Sequence, residues 1–177
     1  MNDSILVKKC VNGDQRAQRA LFEKFAPRML GVCLRYAKEK SQAEDSLQEG
    51  FIKVFTKIKK YKGGSLEGWI RKIMINTSLD NIRKTHKFKN NVNIDEVDYK
   101  CIENNTIIEG LAAADLLMII NTMPVGYRTV FNMFAIEGYS HKEIGKELNV
   151  SENTSKSQYS RARMFLKNKL EAKKIER

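Results

Sequence analysis

The chain has 177 residues, of which 42% are apolar and 30% charged, enough to build one ordinary domain or two small ones. Its 3 cysteines and 2 histidines share no local spacing, which argues against a disulfide framework and a zinc site. No apolar run is long enough for a signal peptide or a membrane span. We therefore expect a cytoplasmic protein without metal or other cofactor.

The net charge of +11 is unevenly spread along the chain. Residues 1–90 carry 20 Lys and Arg against 9 Asp and Glu, residues 91–110 carry 1 against 5, and residues 111–177 carry 11 against 7. Two basic blocks around an acidic connector favour two modules that each contact a polyanion. A basic surface that is merely solvated gives the same totals, so charge alone leaves both interpretations open.

The first block reads as consecutive helices, because apolar residues recur at three- and four-residue steps. The first predicted helix extends from Asp14 to Tyr36 and is kinked or split at Pro27. The sequence "SQAE" at 41–44 predicts a capping box that starts the next helix at Ser41. The buried positions expected in that second helix are Ala43, Leu47, Phe51, Val54 and Ile58.

The opposite side of this second helix carries a cluster of polar and acidic side chains, although the surrounding domain is basic. Its members are Asp45, Gln48, Glu49 and Lys53. A solvated helix face is one interpretation, and a docking face for a basic partner is the other.

Gly63 and Gly64 break the helical pattern, and Ser65 is expected to cap a further helix over roughly residues 66–84. The buried positions expected there are Leu66, Trp69, Ile70, Ile73 and Ile82. The polar, aperiodic stretch that follows indicates a flexible linker. We therefore divide the chain into a domain over 1–88, a linker over 89–108 and a second domain over 109–177.

Two helices are predicted at the start of the second domain, the first ending before Pro124 and the second covering Val125 to Ile136. Gly138, just past the second helix, is expected to adopt a left-handed conformation. The apolar positions that mark the first helix are Leu111, Leu116, Leu117, Ile120 and Met123. Those expected to be buried in the second are Val130, Phe131 and Phe134.

The stretch "YSHKEIGKELNVSENTSKSQYSRARMFLKNKL", residues 139–170, combines two capped helices at close spacing. "SHKE" at 140–143 predicts a capping box, and Ser151 is expected to cap a longer helix after a tight turn. This arrangement is typical of a helix-turn-helix, whose second helix enters the major groove by its N-terminal half. The expected packing stripe of that helix is Ser155, Tyr159, Ala162 and Leu166. Basic side chains off the stripe favour DNA reading over a plain amphipathic helix.

Three stretches in order resemble the extracytoplasmic-function (ECF) group of the bacterial sigma-70 family of RNA polymerase sigma factors. "AEDSLQEGFIKVF" at 43–55 resembles the region 2.2 helix, and "GSLEGWIRKIMINTSLDNIRK" at 64–84 resembles the promoter-melting helix. Residues 120–170 resemble the sigma-4 domain. The resemblance implies an all-α fold, with a sigma-2 helical bundle and a sigma-4 helix-turn-helix joined by a flexible linker. It also implies a promoter-specificity subunit that is not an enzyme.

The resemblance assigns three sets of site residues. Docking on the clamp helices of the largest subunit of core RNA polymerase falls to Asp45, Gln48 and Glu49. Melting and capture of the −10 element falls to Tyr61, Lys62, Gly63, Gly64, Ser65, Leu66, Arg71, Asn76, Arg83 and Lys84. Reading of the −35 element falls to Lys156, Ser157, Ser160 and Arg161, with Arg163 on a phosphate. Trp69 is interpreted as a core residue rather than a stacking platform, since it lies on the buried stripe.

Three positions depart from the family pattern. The family usually has a β-branched apolar residue where this chain has Ser155 and an aliphatic one where it has Tyr159, so the packing angle of the recognition helix is expected to differ. A Phe is common where Leu66 lies.

The partners implied by the family are promoter DNA, core polymerase and an anti-sigma factor, often membrane-bound, with no small-molecule substrate. Two other functions stay open at this point. One is a helix-turn-helix regulator that acts without polymerase, and the other is a metal-dependent nuclease using Asp45, Glu49 and Asp80, which lack ligand spacing.

Overall fold

The computed structural model describes residues 2–88 and 113–175 of the chain. The chain divides into two compact units, Met1–Val92 and Asn93–Arg177. Every regular element in the described ranges is helical, which confirms the all-α prediction with two helical domains. The linker predicted over 89–108 and the predicted helix position Leu111 lie outside the described residues. Among the described helices, none is long and apolar enough to cross a membrane.

The first unit is a bundle of four helices. They are α1 (Asp3–Val11), α2 (Gln15–Tyr36), α3 (Lys40–Lys57) and α4 (Leu66–Phe88), with a 3₁₀ turn at Ile58–Lys60 after α3. Helices α2, α3 and α4 pack pairwise against one another, while α1 packs on α2 and on the 3₁₀ turn. Fully buried large side chains from all of these elements form the core: Leu6, Leu21, Met29, Tyr36, Val54, Ile58, Ile70, Met74 and Leu79. The sequence had not predicted α1.

Helix α2 continues through Pro27, so of the two predicted outcomes, a kink or a split, the split does not occur. Proline lacks an N–H and leaves the carbonyl of Glu23 without its helical donor. Both Pro27 and Glu23 are exposed, so water can satisfy that carbonyl. The start of the helix is fixed by Asp14, whose carboxylate accepts hydrogen bonds from the backbone N–H groups of Arg16 and Ala17 at 2.9 and 3.1 Å.

Helix α3 starts one residue before the predicted capping box. It begins at Lys40 with Glu39 as N-cap, and no side chain caps it. Ser41 lies within the first turn, and Glu44 forms an ion pair with Lys40 at 3.5 Å instead of reaching back to the backbone. The capping box predicted at 41–44 is therefore wrong, although the buried face predicted for this helix is confirmed at Ala43, Leu47, Phe51, Val54 and Ile58.

Helix α4 is buried over a wider arc than predicted. Leu66 and Ile70 are buried as expected, whereas Trp69, Ile73 and Ile82 are only half-buried. Because α4 packs against both α2 and α3, burial extends to positions that a single stripe does not include. These positions are Met74, Ile75, Thr77, Ser78 and Leu79.

Within residues 113–175, the second unit contains four helices and one π-helical turn. The helices are α5 (Ala113–Asn121), α6 (Val125–Phe131), α7 (His141–Leu148) and α8 (Glu152–Ile175), with the π turn at Asn132–Ile136. Helix α8 packs against α5, α6 and α7. The buried cluster beneath it contains Ile120, Met123, Tyr127 and Ala162.

Between α6 and α7 the chain reverses at Gly138, whose φ of 76° confirms the predicted left-handed conformation. The single helix predicted over Val125 to Ile136 ends in the π turn, a feature that the apolar pattern does not signal. Val130 is buried as predicted, while Phe131 and Phe134 are half-buried.

Candidate nucleic-acid interface

The first helix of the predicted helix-turn-helix is fixed by a complete capping box. The Ser140 hydroxyl oxygen accepts a hydrogen bond from the Glu143 backbone N–H at 3.3 Å. In return the Glu143 carboxylate accepts the Ser140 backbone N–H at 2.8 Å. Two backbone donors at the start of α7 are thereby satisfied. The cap predicted from "SHKE" is confirmed.

The turn between α7 and α8 leaves little space. Asn149 has a left-handed φ of 56°, and the Val150 backbone N–H donates to the Gly145 carbonyl at 2.9 Å. A Cβ at Gly145 would lie only 2.8 Å from the Val150 carbonyl oxygen, so the turn closes on a residue without a side chain. Ser151 then caps α8 by accepting the Thr154 backbone N–H at 2.9 Å, as the sequence predicted.

One side of α8 packs against the rest of its unit, as predicted. Ser155 and Ala162 are fully buried, and Tyr159 and Leu166 are half-buried. These four positions lie close together around the helix, which is what a spacing of three and four residues gives. The opposite side of α8 is therefore left to face solvent.

We call the five predicted −35 residues on that opposite side the reading face. All five side chains are exposed and fall within roughly 160° of the circumference of an ideal helix. They are Lys156, Ser157, Ser160, Arg161 and Arg163. Lys156 pairs with Glu152 at 2.7 Å, and the hydrogen bond and charge of Lys156 lower the pKa of Glu152 below its ordinary value. The fold thus brings together all five residues that were proposed from the sequence.

A polar contact behind the reading face had not been predicted. His141, the first residue of α7, places its Nδ1 atom 2.9 Å from the hydroxyl of Ser155. The His141 ring stacks on Phe134 at 4.2 Å between centroids, and Phe134 contacts Tyr159 at 4.6 Å. The signal in the sequence was the polar residue Ser155 on an otherwise apolar stripe, which implies a buried hydrogen-bond partner.

The loop over residues 61–66 in the first unit, which we call the capture loop, has a defined shape. Gly63 and Gly64 have φ values of 101° and 91°, which residues with side chains rarely adopt. The Tyr61 hydroxyl donates to the Gly64 carbonyl at 2.6 Å, and the ring of Tyr61 lies 5.5 Å from that of Trp69. Ser65 caps α4, as predicted, by accepting the Gly68 backbone N–H at 3.1 Å.

The side chains of the capture loop are not equally accessible. Lys62, Gly63, Gly64 and Ser65 are exposed, and Tyr61 is half-buried. Leu66 is only 3% exposed and belongs to the core, because it is the first residue of α4 and faces the bundle. The predicted role of Leu66 in base capture stays a prediction. The half-buried Trp69 lies beside the loop instead of deep in the core.

The remaining predicted −10 residues lie along α4 in two directions. Asn76 and Arg83 are seven residues apart, so they lie on the same side of the helix. Arg71 is five residues before Asn76, which places it about 140° away around the helix axis. The fold therefore does not bring Arg71 onto the surface that Asn76 and Arg83 share.

The predicted core-docking face consists of Asp45, Gln48 and Glu49 on α3. Asp45 and Gln48 are exposed, and Glu49 is half-buried. Glu49 contacts Lys53 at 3.4 Å on its own helix and Lys84 of α4 at 3.6 Å. The docking face is thus connected by ion pairs to a residue proposed to contact the −10 element.

These contacts belong to a network that joins α3 to α4. Lys53 also contacts Asp80 at 3.5 Å, and Asp80 accepts a hydrogen bond from Arg83 at 2.9 Å. Burial of Glu49 would raise its pKa, but a hydrogen bond with Asn81 and the charge of Lys53 lower it below its ordinary value. The i,i+4 spacing of Glu49 and Lys53 is visible in the sequence, whereas their links to α4 depend on helix packing.

The nuclease alternative required Asp45, Glu49 and Asp80 to hold a metal ion. In the structure Glu49 and Asp80 are bridged by the ammonium group of Lys53. Within residues 2–88 and 113–175, no three His, Cys, Asp or Glu side chains are grouped as metal ligands. Glu49 and Asp80 thus take part in ion pairs that link α3 to α4 in this structure.

Two family models match the chain, one in each unit. Sigma-70 region 2 matches residues 21–88, and Sigma-70, region 4 matches residues 113–166. The chain belongs to the sigma-70 family. The region 2 match contains the docking face and the capture loop, and the region 4 match contains the reading face.

Curated relatives in this family include ECF sigma factors. The ECF RNA polymerase sigma factor SigE of Mycolicibacterium smegmatis is 30% identical over 89% of this chain, which spans 64% of that relative's length. The RNA polymerase sigma-H factor of Pseudomonas aeruginosa is 24% identical over 91% of this chain and 90% of its own length. The ECF RNA polymerase sigma-E factor of Haemophilus influenzae is 23% identical over 97% of this chain and 96% of its own length.

Solved structures share the fold of this sigma-70 family member. The sigma factor RpoE of Bartonella quintana, solved with the anti-sigma factor NepR, has a TM-score of 0.55 at 21% identity, covering 86% of this chain and 96% of its own. CnrH, solved with the cytosolic domain of CnrY, has a TM-score of 0.51 at 19% identity, covering 95% and 96%. At these identities the likeness shows the fold alone.

Proposed function

We propose that this sigma-70 family member is an alternative sigma factor of the ECF type. It binds core RNA polymerase and directs initiation at promoters of its own class. The observation that carries the proposal is the presence, in one chain, of a region 2 bundle with an exposed acidic face and a region 4 helix-turn-helix with an exposed basic face.

In this proposal the second unit reads the −35 element as intact duplex. Helix α8 enters the major groove by its N-terminal half, where Lys156, Ser157, Ser160 and Arg161 are exposed. Arg and Lys side chains recognise guanine edges, and Ser contacts bases or backbone, so this face can discriminate sequence. Arg163 contacts a phosphate and fixes the helix on the duplex.

The first unit melts and captures the −10 element. Unstacking one base costs a few kcal/mol, which stacking and hydrogen bonds to its edge must offset. The exposed glycines of the capture loop allow close approach of a base to the backbone, and Asn76 can bond to base edges. Lys62, Arg83 and Lys84 supply positive charge for the phosphates of the separated strand.

The docking face on α3 binds the basic clamp helices of the largest polymerase subunit. Asp45 and Gln48 extend into solvent and are available for a partner, and Glu49 lies one residue further along. Strand opening is then driven by binding energy, so the chain catalyses no reaction itself. The proposal places the protein in the cytoplasm, where core polymerase acts.

An anti-sigma factor is the further partner that we propose. RpoE was solved in complex with the anti-sigma factor NepR. CnrH was solved in complex with the cytosolic domain of CnrY. Such a partner would keep the chain from core polymerase until a signal releases it. A membrane-bound anti-sigma factor would suit a signal that arises outside the cell.

A helix-turn-helix regulator that acts without polymerase is not favoured. That function uses only residues of the second unit, whereas the region 2 match covers residues 21–88. It would leave the docking face and the capture loop without a role.

Transcription in vitro tests the proposal most directly. Core polymerase, a genomic DNA library and the purified chain are combined, and the 5′ ends of the transcripts are sequenced. We expect start sites that depend on the chain and share two upstream elements. If core polymerase with the chain initiates no differently from core polymerase alone, and the chain does not bind core in a pull-down, the proposal is wrong.

A further inference from the structure

We infer that His141 is a positioning residue for promoter recognition, acting through Ser155 on the angle at which α8 presents the reading face. The inference rests on the proposed function and assigns a specificity role to a residue outside the DNA-contacting set. It starts from the two departures from the family pattern, Ser155 and Tyr159, which both lie on the packed side of α8.

Ser155 places a hydroxyl group at a fully buried position on the packed side of α8. Its residue exposure is 0%, and the hydroxyl oxygen lies 2.9 Å from Nδ1 of His141. A buried hydroxyl without a partner is costly, so this contact ties the first turn of α8 to the first residue of α7. Unlike an apolar contact, a hydrogen bond has a preferred direction and distance.

The other side of the His141 ring is held by aromatic contacts. The ring is nearly parallel to that of Phe134, with an interplanar angle of 10° and centroids 4.2 Å apart. Tyr159 of α8 lies 5.7 Å from the His141 ring and 4.6 Å from the Phe134 ring. One imidazole thus contacts the π turn and α8 at two positions, one helical turn apart.

This contact bears on DNA reading because of where Ser155 stands. It directly precedes Lys156 and Ser157, the first two residues of the reading face. Turning a helix by roughly 20° moves a side-chain atom about 6 Å from the axis by about 2 Å. Hydrogen bonds tolerate a range of only about 0.5 Å, so a small change in the angle of α8 alters which base edges can be reached.

Three single variants and one double variant separate the hydrogen bond from the ring stack. His141→Phe keeps a ring on Phe134 but leaves the Ser155 hydroxyl unpaired, and Ser155→Ala removes the hydroxyl. His141→Asn is the conservative variant, because the Asn amide can place either Oδ1 or Nδ2 near the position of His Nδ1 and so accept from or donate to the Ser155 hydroxyl. The double variant His141→Phe, Ser155→Ala removes both polar partners and restores an apolar contact.

The readout is promoter selectivity of the reconstituted holoenzyme. Templates carry a promoter found for the wild-type chain, with its −35 element randomised, and the transcripts are sequenced to give the preference for each base. We expect His141→Phe and Ser155→Ala each to lower the preference for the best −35 sequence about 10-fold, while His141→Asn stays within about 2-fold of wild type. Binding to core polymerase is expected to stay unchanged.

The double variant distinguishes positioning from a merely structural role. We expect it to recover the thermal stability lost by His141→Phe without recovering the wild-type base preference, because packing alone then sets the angle of α8. The inference is overturned if preference returns together with stability, or if the single variants select the same −35 bases as wild type. A wild-type chain without selective initiation would refute the proposed function instead.

Discussion

The two faces proposed to contact promoter DNA differ in how their charges are partnered. In the first unit Arg83 and Lys84 contact Asp80 and Glu49, so the basic groups are compensated by carboxylates of the same bundle. In the second unit, among the side chains that the structure describes, no carboxylate forms an ion pair with Arg161 or Arg163.

This difference separates two kinds of surface. An exposed ion pair contributes about 0–1 kcal/mol to the stability of the fold. A DNA phosphate must nevertheless compete with the carboxylate of the pair before it can bind the basic side chain. In the proposed reading face, Arg161 and Arg163 are available to DNA without the loss of an ion pair, and Lys156 alone is paired, with Glu152. We expect substitutions there to change binding alone, and substitutions in the α3–α4 network to change binding and stability together.

The largest effect is expected from Lys156→Ala combined with Arg161→Ala. Each contact to a base is worth about 1–3 kcal/mol, so losing two should reduce initiation that depends on the −35 element by roughly 100-fold or more. Core binding, measured by pull-down, should be unchanged. Lys167→Ala with Lys169→Ala removes the same charge further along α8 and serves as the control. Loss of core binding in the first variant would show that the reading face is misplaced.

Next in size is the effect of Asp45→Lys on the docking face. The exposed side chain would then present a positive charge to basic clamp helices, and like charges at an interface oppose binding. We expect the affinity for core polymerase to fall roughly 10- to 100-fold with little change in thermal stability. The matched control is Glu44→Lys, an exposed neighbour on another side of α3. Equal losses in both variants would indicate a general charge effect and no defined docking face.

A smaller effect is expected from a change in the turn between α7 and α8, where stability and DNA reading within the second unit are coupled. Gly145→Ala places a Cβ against the Val150 carbonyl, and relief of such a clash costs about 1–3 kcal/mol. We expect a lower Tm and weaker −35 recognition together. Gly126→Ala is the control, since its nearest neighbours lie 3.6 Å or more away. A Gly145→Ala protein of wild-type stability would contradict the geometry of the turn.

The smallest effect concerns the pH dependence of the α3–α4 network. Because the pKa of Glu49 in the folded chain lies below its ordinary value, the unfolded chain binds the proton more readily. The stability contributed by Glu49 is therefore fully present above the ordinary pKa and is lost as the pH falls through the folded-state pKa.

Glu49→Gln should flatten the acid side of the curve of Tm against pH. A curve for Glu49→Gln parallel to that of the wild type would show that the network adds no pH-dependent stability.

Local signals in the sequence were reliable where a side chain accepts a hydrogen bond from a nearby backbone N–H group at a helix start. Ser140, Ser151 and Ser65 were predicted as caps and act as caps, because a capping side chain bonds only to residues two or three positions away. The same argument failed at Ser41, where α3 begins one residue earlier and the side chain that completes the box pairs with Lys40. A capping pattern therefore predicts a helix start only to within a residue or two.

Interactions between elements were harder to predict. The exposure of all five reading-face residues followed from helical periodicity, but the His141 and Ser155 contact spans 14 residues and depends on how α7 meets α8. Glu49 lies on α3 and Asp80 on α4. The apolar periodicity of each helix does not specify how the two helices pack, so their link through Lys53 could not be predicted from the sequence.

In the proposed function, the closed shape of the capture loop has a consequence for how long the opened promoter strand stays bound. With the Tyr61 hydroxyl already bound to the Gly64 carbonyl and the Trp69 ring alongside, the backbone need not be ordered when a nucleotide arrives. Ordering one residue costs about 1–2 kcal/mol of conformational entropy, so a pre-shaped receptor spares several such terms. The time for which the opened strand stays bound is then expected to depend on which base it presents to the loop, more than on a rearrangement of the protein.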